Sequence, residues 1–561
     1  MSQNPINVEV FDHQGLATIS TVTIEAPDLF SGEASLSLST QTGEESWLFS
    51  GFIVNELEAV HRSYPLLVKV LDTDSDQNLG QINAWDVSSA RVKEGWARTW
   101  GGERFQKDLA EGRDVAVDNT GNIYITGSFG VTVDFDPGSG VDSHSAPGGN
   151  VFLSKFNESG QFLWTRTWGG DGNYLGDDAW ALAIDDLGNV YVTGSFEGIG
   201  DFNPGTDVDE HESNGKIDIF LSKFSSDGDF IWAKTWGGMA HDEGLGVSVD
   251  SIGHVYVTGY FEMRVDFDPG DGLDNHVSNG YSDIFLSKFD SAGNYIWART
   301  WGGDLYYPSD AGYDVAIYEI NNIHVAGYFK GLVDFNPGAG EDLHESTGEE
   351  DAFLCKFNSD GEYIWGRTWG GSDSDVGISI TSDRSGNLCI AGSFRSTADF
   401  DPGPGEDTHE SHEGRDIFLS RFNSDGTFNW ARTWGGWDFI TGTPMPDVAV
   451  DWNGNAYVTS YFRGTADFDP GDGVDNHTSI GISDVFLSKF NPAGDFVWAR
   501  ILGGDDWDDG LGVTVDSSGN IYCTGFCSGN ADLDPGPGED IHVCLGYRDA
   551  YLIRLLPDGY W

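Results

Sequence analysis

The stretch DFDPGSGVDSH places Asp134, Asp136 and Asp142 around a Pro-Gly turn, with His144 two residues further on. Calcium takes six to eight oxygen ligands at about 2.3–2.6 Å, and carboxylates two residues apart beside a turn are what a calcium loop offers. The imidazole does not belong to such a set, and a carboxylate–imidazole site would suit a transition metal instead. A second reading needs no ion. The first Asp accepts backbone N–H bonds in an Asx turn, Pro-Gly reverses the chain, and the His bonds a neighbouring carboxylate or carbonyl to pin the loop.

The same pattern returns six times: Asp201, Asn203, Asp209; Asp266, Asp268, Asp274; Asp334, Asn336, Asp342; Asp399, Asp401, Asp407; Asp467, Asp469, Asp475; and Asp532, Asp534, Asp540. Each set is followed by a His, and these seven account for over half of the 13 His in the chain. One geometric rule repeated in one chain favours the structural reading. Calcium on these Asp and Asn side chains is the alternative, and it is the one cofactor the sequence suggests. A catalytic centre needs residues that break the repeat, and the departures are WDFITGTPMPD (Trp437 to Asp447), DLYYPSDAG (Asp304 to Gly312) and MAHDEG with His241 and Asp242. None sets a nucleophile beside a base at a readable spacing, so no catalytic residue is expected and the chain reads as a non-enzyme.

Composition narrows the partners. Lys and Arg number 29 against 91 Asp and Glu, a net charge of −62, which repels a phosphate backbone and argues against nucleic acid. No apolar run approaches the roughly 20 residues of a membrane-spanning helix, and MSQNPINVEVF has no export leader. Five Cys cannot build a disulfide framework; Cys527 and Cys544 flank one loop, and two free thiols are expected in preference to a bridge between them.

The elements that carry the loops follow from a repeat. WARTWGG at Trp96 returns at Trp164, Trp232, Trp297, Trp365, Trp430 and Trp498, at spacings of 68, 68, 65, 68, 65 and 68 residues. Each unit holds four strand signals, exemplified by RDVAVD, IYITGSF, VFLSKF and QFLWTRTW between Arg113 and Trp168. Short Gly-containing turns join the first strand to the second and the third to the fourth. The DPG loop joins the second to the third. This predicts an all-β fold, a seven-bladed β-propeller of four-stranded blades at 92–561. The last unit lacks a fourth strand, and Val92 to Trp100 is expected to supply it beside Tyr551 to Leu555, closing the ring. Trp96, Arg98 and Trp100 share one strand face, which reads as packing between blades in preference to an aromatic ladder for sugars.

GNIYITGSF, VDFDPG, DIFLSKF, NSDG and WARTWGG together resemble the bacterial SBBP-type β-propeller repeat over Val92 to Trp561. The resemblance implies the propeller fold and an extracellular or surface-associated protein; it implies no activity. FSSDGDFIW (Phe224 to Trp232) approaches the Asp-box of sialidase-like propellers, but Asp227 and Gly228 are adjacent where that motif separates them, so its activity is not carried over.

Residues 1–90 lack the repeat. Alternating segments at Ile6 to Phe11, Leu16 to Ala26, Trp47 to Val54 and Leu66 to Leu71 predict a small Ig-like β-sandwich, incomplete at its start, with Asn83 to Arg91 as linker. The loops between one unit's fourth strand and the next unit's first are acidic, as in GGDGNYLGDDAW (Gly169 to Trp180) and LGGDDWDDG (Leu502 to Gly510), and share a face with the DPG loops. The expected function is a monomeric, non-enzymatic surface or secreted scaffold presenting an acidic face to a protein or glycan partner. The alternative is a propeller hydrolase or lyase acting on polysaccharide.

Overall fold

The computed structural model describes five strands within residues 1–94, and the chain from residue 95 onward except 103–108, 171–176, 305–309 and 437–443. By contact density the chain divides into Met1–Glu94 and Gly95–Trp561. In the first unit Gln3–Phe11, Ile19–Glu25, Ala34–Gly43, Ser46–Val54 and Leu67–Asp72 pair antiparallel. Ala34–Gly43, which the alternation pattern did not single out, is the shared strand: Ala34 to Leu36 pair with the second strand, and Ser37 to Gly43 with the fourth. The expected linker at Asn83 to Arg91 lies outside the described residues.

The second unit is built from four-stranded antiparallel sheets, with no helix among the described residues. The first sheet is Ala110–Val117, Ile123–Asp134, Ser143–Phe156 and Phe162–Gly170, paired in that order. The chain repeats this arrangement until the last sheet, where Asp509–Val515, Ile521–Asp532 and Ile541–Leu555 are completed by Trp96–Trp100. Trp96 stands opposite Arg554 and Trp100 opposite Ala550, so the expected closing strand is in place. The first strand of each sheet packs against the first strands of the sheets before and after it, and Asp509–Val515 packs against Ala110–Val117. The first strands thus form a closed cycle.

Turn chemistry fixes the hairpins. Asp118 Oδ1 accepts the N–H groups of Thr120 and Asn122 at 2.8 and 2.9 Å, and Gly121 takes a φ of 83°. In the fourth sheet the turn is YEINN, and there Glu319 occupies the left-handed region at 54° without a glycine to relieve it.

Apolar clusters lie between neighbouring sheets. Tyr124, Val151 and Leu153 of the first meet Leu182, Val192 and Phe220 of the second; Tyr522 and Leu552 of the last meet Ile125 and Phe152 of the first. The Trp–Arg pairs clamp these layers. Arg98 Nε donates to Gly160 O at 2.9 Å and Trp96 Nε1 to Glu158 O at 3.2 Å, binding the last sheet to the first, and Arg166, Arg299, Arg367, Arg432 and Arg500 repeat the bond at 2.8–3.0 Å. Gly160 has a φ of 71°, and a Cβ there would lie 2.7 Å from the Trp96 indole. These aromatics pack and bond sheet to sheet.

Cys527 and Cys544 form a disulfide, correcting the expectation of two free thiols. A bulge between Cys527 and Gly529 shifts the register against the third strand and brings the two Cα atoms to 6.0 Å, inside the range a disulfide spans. Sequence spacing alone could not reveal that bulge.

Candidate binding site

After each second strand the chain folds back, and the DPG loop lies against a fourth strand and the turn that leads into it. Asp274 accepts the Tyr295 hydroxyl and the loop at 203–207 adjoins Gly228, Asp229 and Phe230, so the DPG loops do not share the face of the first-strand starts as expected. Asp134, Asp201, Asp266, Asp334, Asp399, Asp467 and Asp532 are the last residues of second-strand arms. The Oδ1 atom of each accepts the N–H two residues on at 3.0–3.2 Å and the N–H eight residues on at 2.8–2.9 Å. The middle residues, Asp136, Asn203, Asp268, Asn336, Asp401, Asp469 and Asp534, each accept a glycine N–H at 2.7–2.9 Å. A Cβ on Gly140 would sit 2.0 Å from Asp136 Oδ2, which explains the second glycine of DPGSG. The third residues, Asp142, Asp209, Asp274, Asp342, Asp407, Asp475 and Asp540, face the loop His at 3.1–3.5 Å.

Each loop His is itself engaged. His144 Nδ1 lies 2.9 Å from Thr167 Oγ1 and its ring stands edge-on to buried Phe135. His211, His276, His344, His409 and His542 bond the matching Thr at 2.7–2.9 Å. His477 differs because Ile501 stands where the other outer strands carry Thr. The first and middle loop residues are thus occupied as acceptors for backbone amides and the third faces the His, and among the described residues no three His, Cys, Asp or Glu converge as a metal set.

The repeat breaks along the first strands. A channel of about 350 Å³ runs between the first strands, lined by Asp114, Asp314 and Asp447. Each accepts an N–H from the next sheet: Asp114 from Leu182 at 2.8 Å, Asp314 from Ile380 at 2.9 Å, Asp447 from Val513 at 2.7 Å. Burial pushes all three carboxyls up, Asp314 to about 7, and the charge of Asp447 adds to the shift of the other two. The matching positions in other sheets are Ala181, Gly246, Ser379 and Gly512, so these acids clasp three junctions: first to second, fourth to fifth and sixth to last.

Where the channel opens among the first-strand starts, it widens into two recesses that share Met445. The larger, about 460 Å³, is walled by Trp180, Glu243, Tyr260, Tyr313 and Tyr328. Tyr260 donates its hydroxyl to Glu243 at 2.6 Å; Tyr313 and Tyr328 lie 5.7 Å apart; Arg113 covers the Trp180 ring at 4.3 Å. Burial raises the Glu243 carboxyl, and the Tyr260 hydrogen bond and the Arg113 charge oppose the shift. The smaller recess, about 220 Å³, holds Glu111, Asp509, Arg463, Arg548, Trp507 and Phe526. Glu111 pairs with Arg548 and lies 3.2 Å from Arg113.

Sequence reasoning did not assemble this mouth. The signal was present in the first strands, where RDVAVD-type regularity fails: Arg113, Trp180, Leu245, Tyr313, Ile378, Pro446 and Leu511 occupy one repeat position. Of the departures that were noticed, 305–309 and 437–443 lie outside the described residues. Asp242 is a backbone acceptor, taking the Gly238 N–H at 2.6 Å and the Glu262 N–H at 2.9 Å.

No family model matches the chain. It is 23% identical over 347 residues to an uncharacterised WD repeat-containing protein of Acanthamoeba polyphaga mimivirus, covering 53% of this chain and 25% of that protein. It is 25% identical over 234 residues to the regulatory protein FlaEY of Caulobacter vibrioides, covering 40% and 24%. The chain is a repeat protein of β-propeller type. It spans about a quarter of the length of the curated relatives it matches. Among solved structures it aligns with the phage phi92 endosialidase at a TM-score of 0.36 and 10% identity, covering 82% of this chain and 69% of that one. A protein of unknown function from Dyadobacter fermentans aligns at 0.33 and 8%, covering 82% and 97%.

Proposed function

We propose that this propeller-type protein is a seven-bladed, non-enzymatic binding protein of the cell surface or extracellular space, preceded by an Ig-like module, and that it takes a glycan at the channel mouth. The observation that carries the reading is a break in the repeat: Trp180, Tyr260, Tyr313 and Tyr328 gather around Glu243 in one recess, while Ser128, Ser195 and Ser393 stand at the position of Tyr260 and Tyr328, and Leu245, Ile378 and Leu511 at that of Trp180 and Tyr313. Aromatic faces with a few convergent polar groups are what a sugar-binding cleft uses. Isothermal titration against a panel of neutral oligosaccharides tests this, with Tyr313→Ala as the variant expected to abolish the heat.

Export is supported by the Cys527–Cys544 disulfide, since such bonds persist in oxidising compartments. It closes a 17-residue separation. Removing it with Cys527→Ser should cost about 3 kcal/mol, read by denaturant unfolding. Unchanged stability would remove this support. Calcium on the DPG loops is a separate arm of the proposal, tested by thermal melting with calcium and with chelator; equal melting would end it.

Glu243 favours a second reading, a hydrolase acting on polysaccharide. A buried carboxyl raised in pKa within an aromatic recess is the environment of a general acid. Release of reducing ends by the native protein and its loss in Glu243→Gln would establish that reading over simple binding.

A further inference from the structure

The smaller recess differs from the rest of this acidic chain. Arg113, Arg463 and Arg548 line it together, facing Glu111 and Asp509. Glu111 serves both Arg548 and Arg113, so one carboxylate is shared between two guanidiniums. Arg113 also lies 3.7 Å from Asp178, on the Trp180 side. Arg463 is held otherwise: its guanidinium carbon stands 5.5 Å from the Trp507 ring and 5.8 Å from the Tyr461 ring, and among the described residues no carboxylate pairs with it. The Nε atoms of Arg113, Arg463 and Arg548 are all buried without a hydrogen-bond acceptor among the described residues. Asp509 Oδ1 is likewise buried and unbonded in the same recess. Three guanidiniums thus face two carboxylates in the recess, and burial, followed by the neighbouring Glu111 charge, pushes the Asp509 carboxyl up.

An unpaired guanidinium is conspicuous in a chain carrying 91 acidic and 29 basic residues, because acids are available almost everywhere to neutralise it. A planar fork with free donors suits a two-oxygen anion, and flanking rings fix its plane. Trp507, Tyr461 and Phe526 supply the apolar walls that the face of a sugar ring would cover. A space of about 220 Å³ holds one sugar unit with its acidic group, and it adjoins the larger aromatic recess through Met445.

We infer that the Arg463–Arg548–Arg113 recess is a subsite for an acidic sugar residue, with Arg463 as the principal anion contact. The inference rests on the glycan reading of the mouth and adds the ligand's charge class. The anion is a carboxylate or sulfate on the sugar; the recess chemistry is common to both. The long-range field of a chain at −62 opposes an anion, so binding is measured at about 0.15 M salt, where the Debye length is near 8 Å.

The test is titration calorimetry on the full chain with three probes: an oligouronate, a sulfated oligosaccharide and a neutral oligoglucoside of equal length. An acidic probe should bind at least tenfold tighter than the neutral one, and which acidic probe wins identifies the source of the anion. Arg463→Gln should erase that preference and leave both neutral binding and melting temperature unchanged, while Arg463→Lys should recover part of it. Equal affinity for acidic and neutral probes, or an acidic preference that survives Arg463→Gln, overturns the subsite and leaves the mouth reading intact. Absence of binding by all three probes overturns both.

Discussion

In a DPG loop a carboxylate such as Asp266 spends its oxygen on two backbone amides of its own loop. At the channel mouth Glu243 meets a tyrosine hydroxyl from the neighbouring strand, and Asp509 Oδ1 is buried with no donor among the described residues. The first arrangement occurs seven times with little variation; the grouping of Trp180, Tyr260, Tyr313 and Tyr328 about Glu243 occurs once among the described residues. Repetition marks what every sheet requires in order to hold its long loop, and its absence marks what no sheet requires for folding. The loops that look most like chemistry in the sequence are therefore the better candidates for architecture.

The sharpest way to break this comparison is to exchange the expected phenotypes. Trp180→Ala at the mouth should weaken glycan binding by at least tenfold, about 1.4 kcal/mol, with little change in melting temperature. Asp266→Ala on the rim should leave binding intact and cost about 1–2 kcal/mol in stability, as loss of a capping acceptor does. If the rim variant alone abolished binding, the roles assigned to the two regions would be reversed.

Much of the second unit was legible from residues alone. The WARTWGG spacing located the outer strands, and the missing last strand pointed to Trp96–Trp100, which indeed pairs with Ala550 to Arg554. Periodicity works there because strand alternation and turn residues are local properties. The mouth was not legible because Arg113, Glu243 and Asp509 are far apart in the chain and meet only when the first strands form their cycle. The disulfide was missed for a related reason: a bulge, invisible to spacing, sets the Cys527 to Cys544 distance.

A third group of acids separates fold from function by pH. Asp177, Asp242, Asp310 and Asp508 are pushed by burial to about 7, and Asp375 to about 8, while each holds the amide of a glycine at the end of the preceding outer strand. An unfolded Asp titrates near 3.9, so between roughly pH 4 and 8 the folded chain holds protons that the unfolded chain has released. Stability then falls as pH rises through that window, and melting temperature should be higher at pH 5 than at pH 8. Relief of net negative charge acts in the same direction, so Asp375→Asn is the control. It should flatten the slope, whereas an unchanged slope would assign the effect to overall charge.

The smallest expected effect is also the closest comparison, because two copies of one loop differ at one contact. His409 bonds Thr433 Oγ1 at 2.8 Å and stands edge-on to Phe400; His477 stands edge-on to Phe468 likewise, but its outer strand supplies Ile501. The third-position acids, Asp407 and Asp475, lie 3.5 and 3.3 Å from their His, so that contact is common to both loops. Truncating either His to Ala removes the ring from its Phe and its Asp, and only the first truncation also removes a hydroxyl bond. His409→Ala should therefore be the more destabilising by about 1 kcal/mol, the net value of one such bond. Pairing each variant with Thr433→Val and Ile501→Val completes a cycle in which coupling should appear for the first pair and vanish for the second. Equal costs for the two His would mean that the ring's packing on Phe, and not its bond to Thr, is what the seven copies preserve.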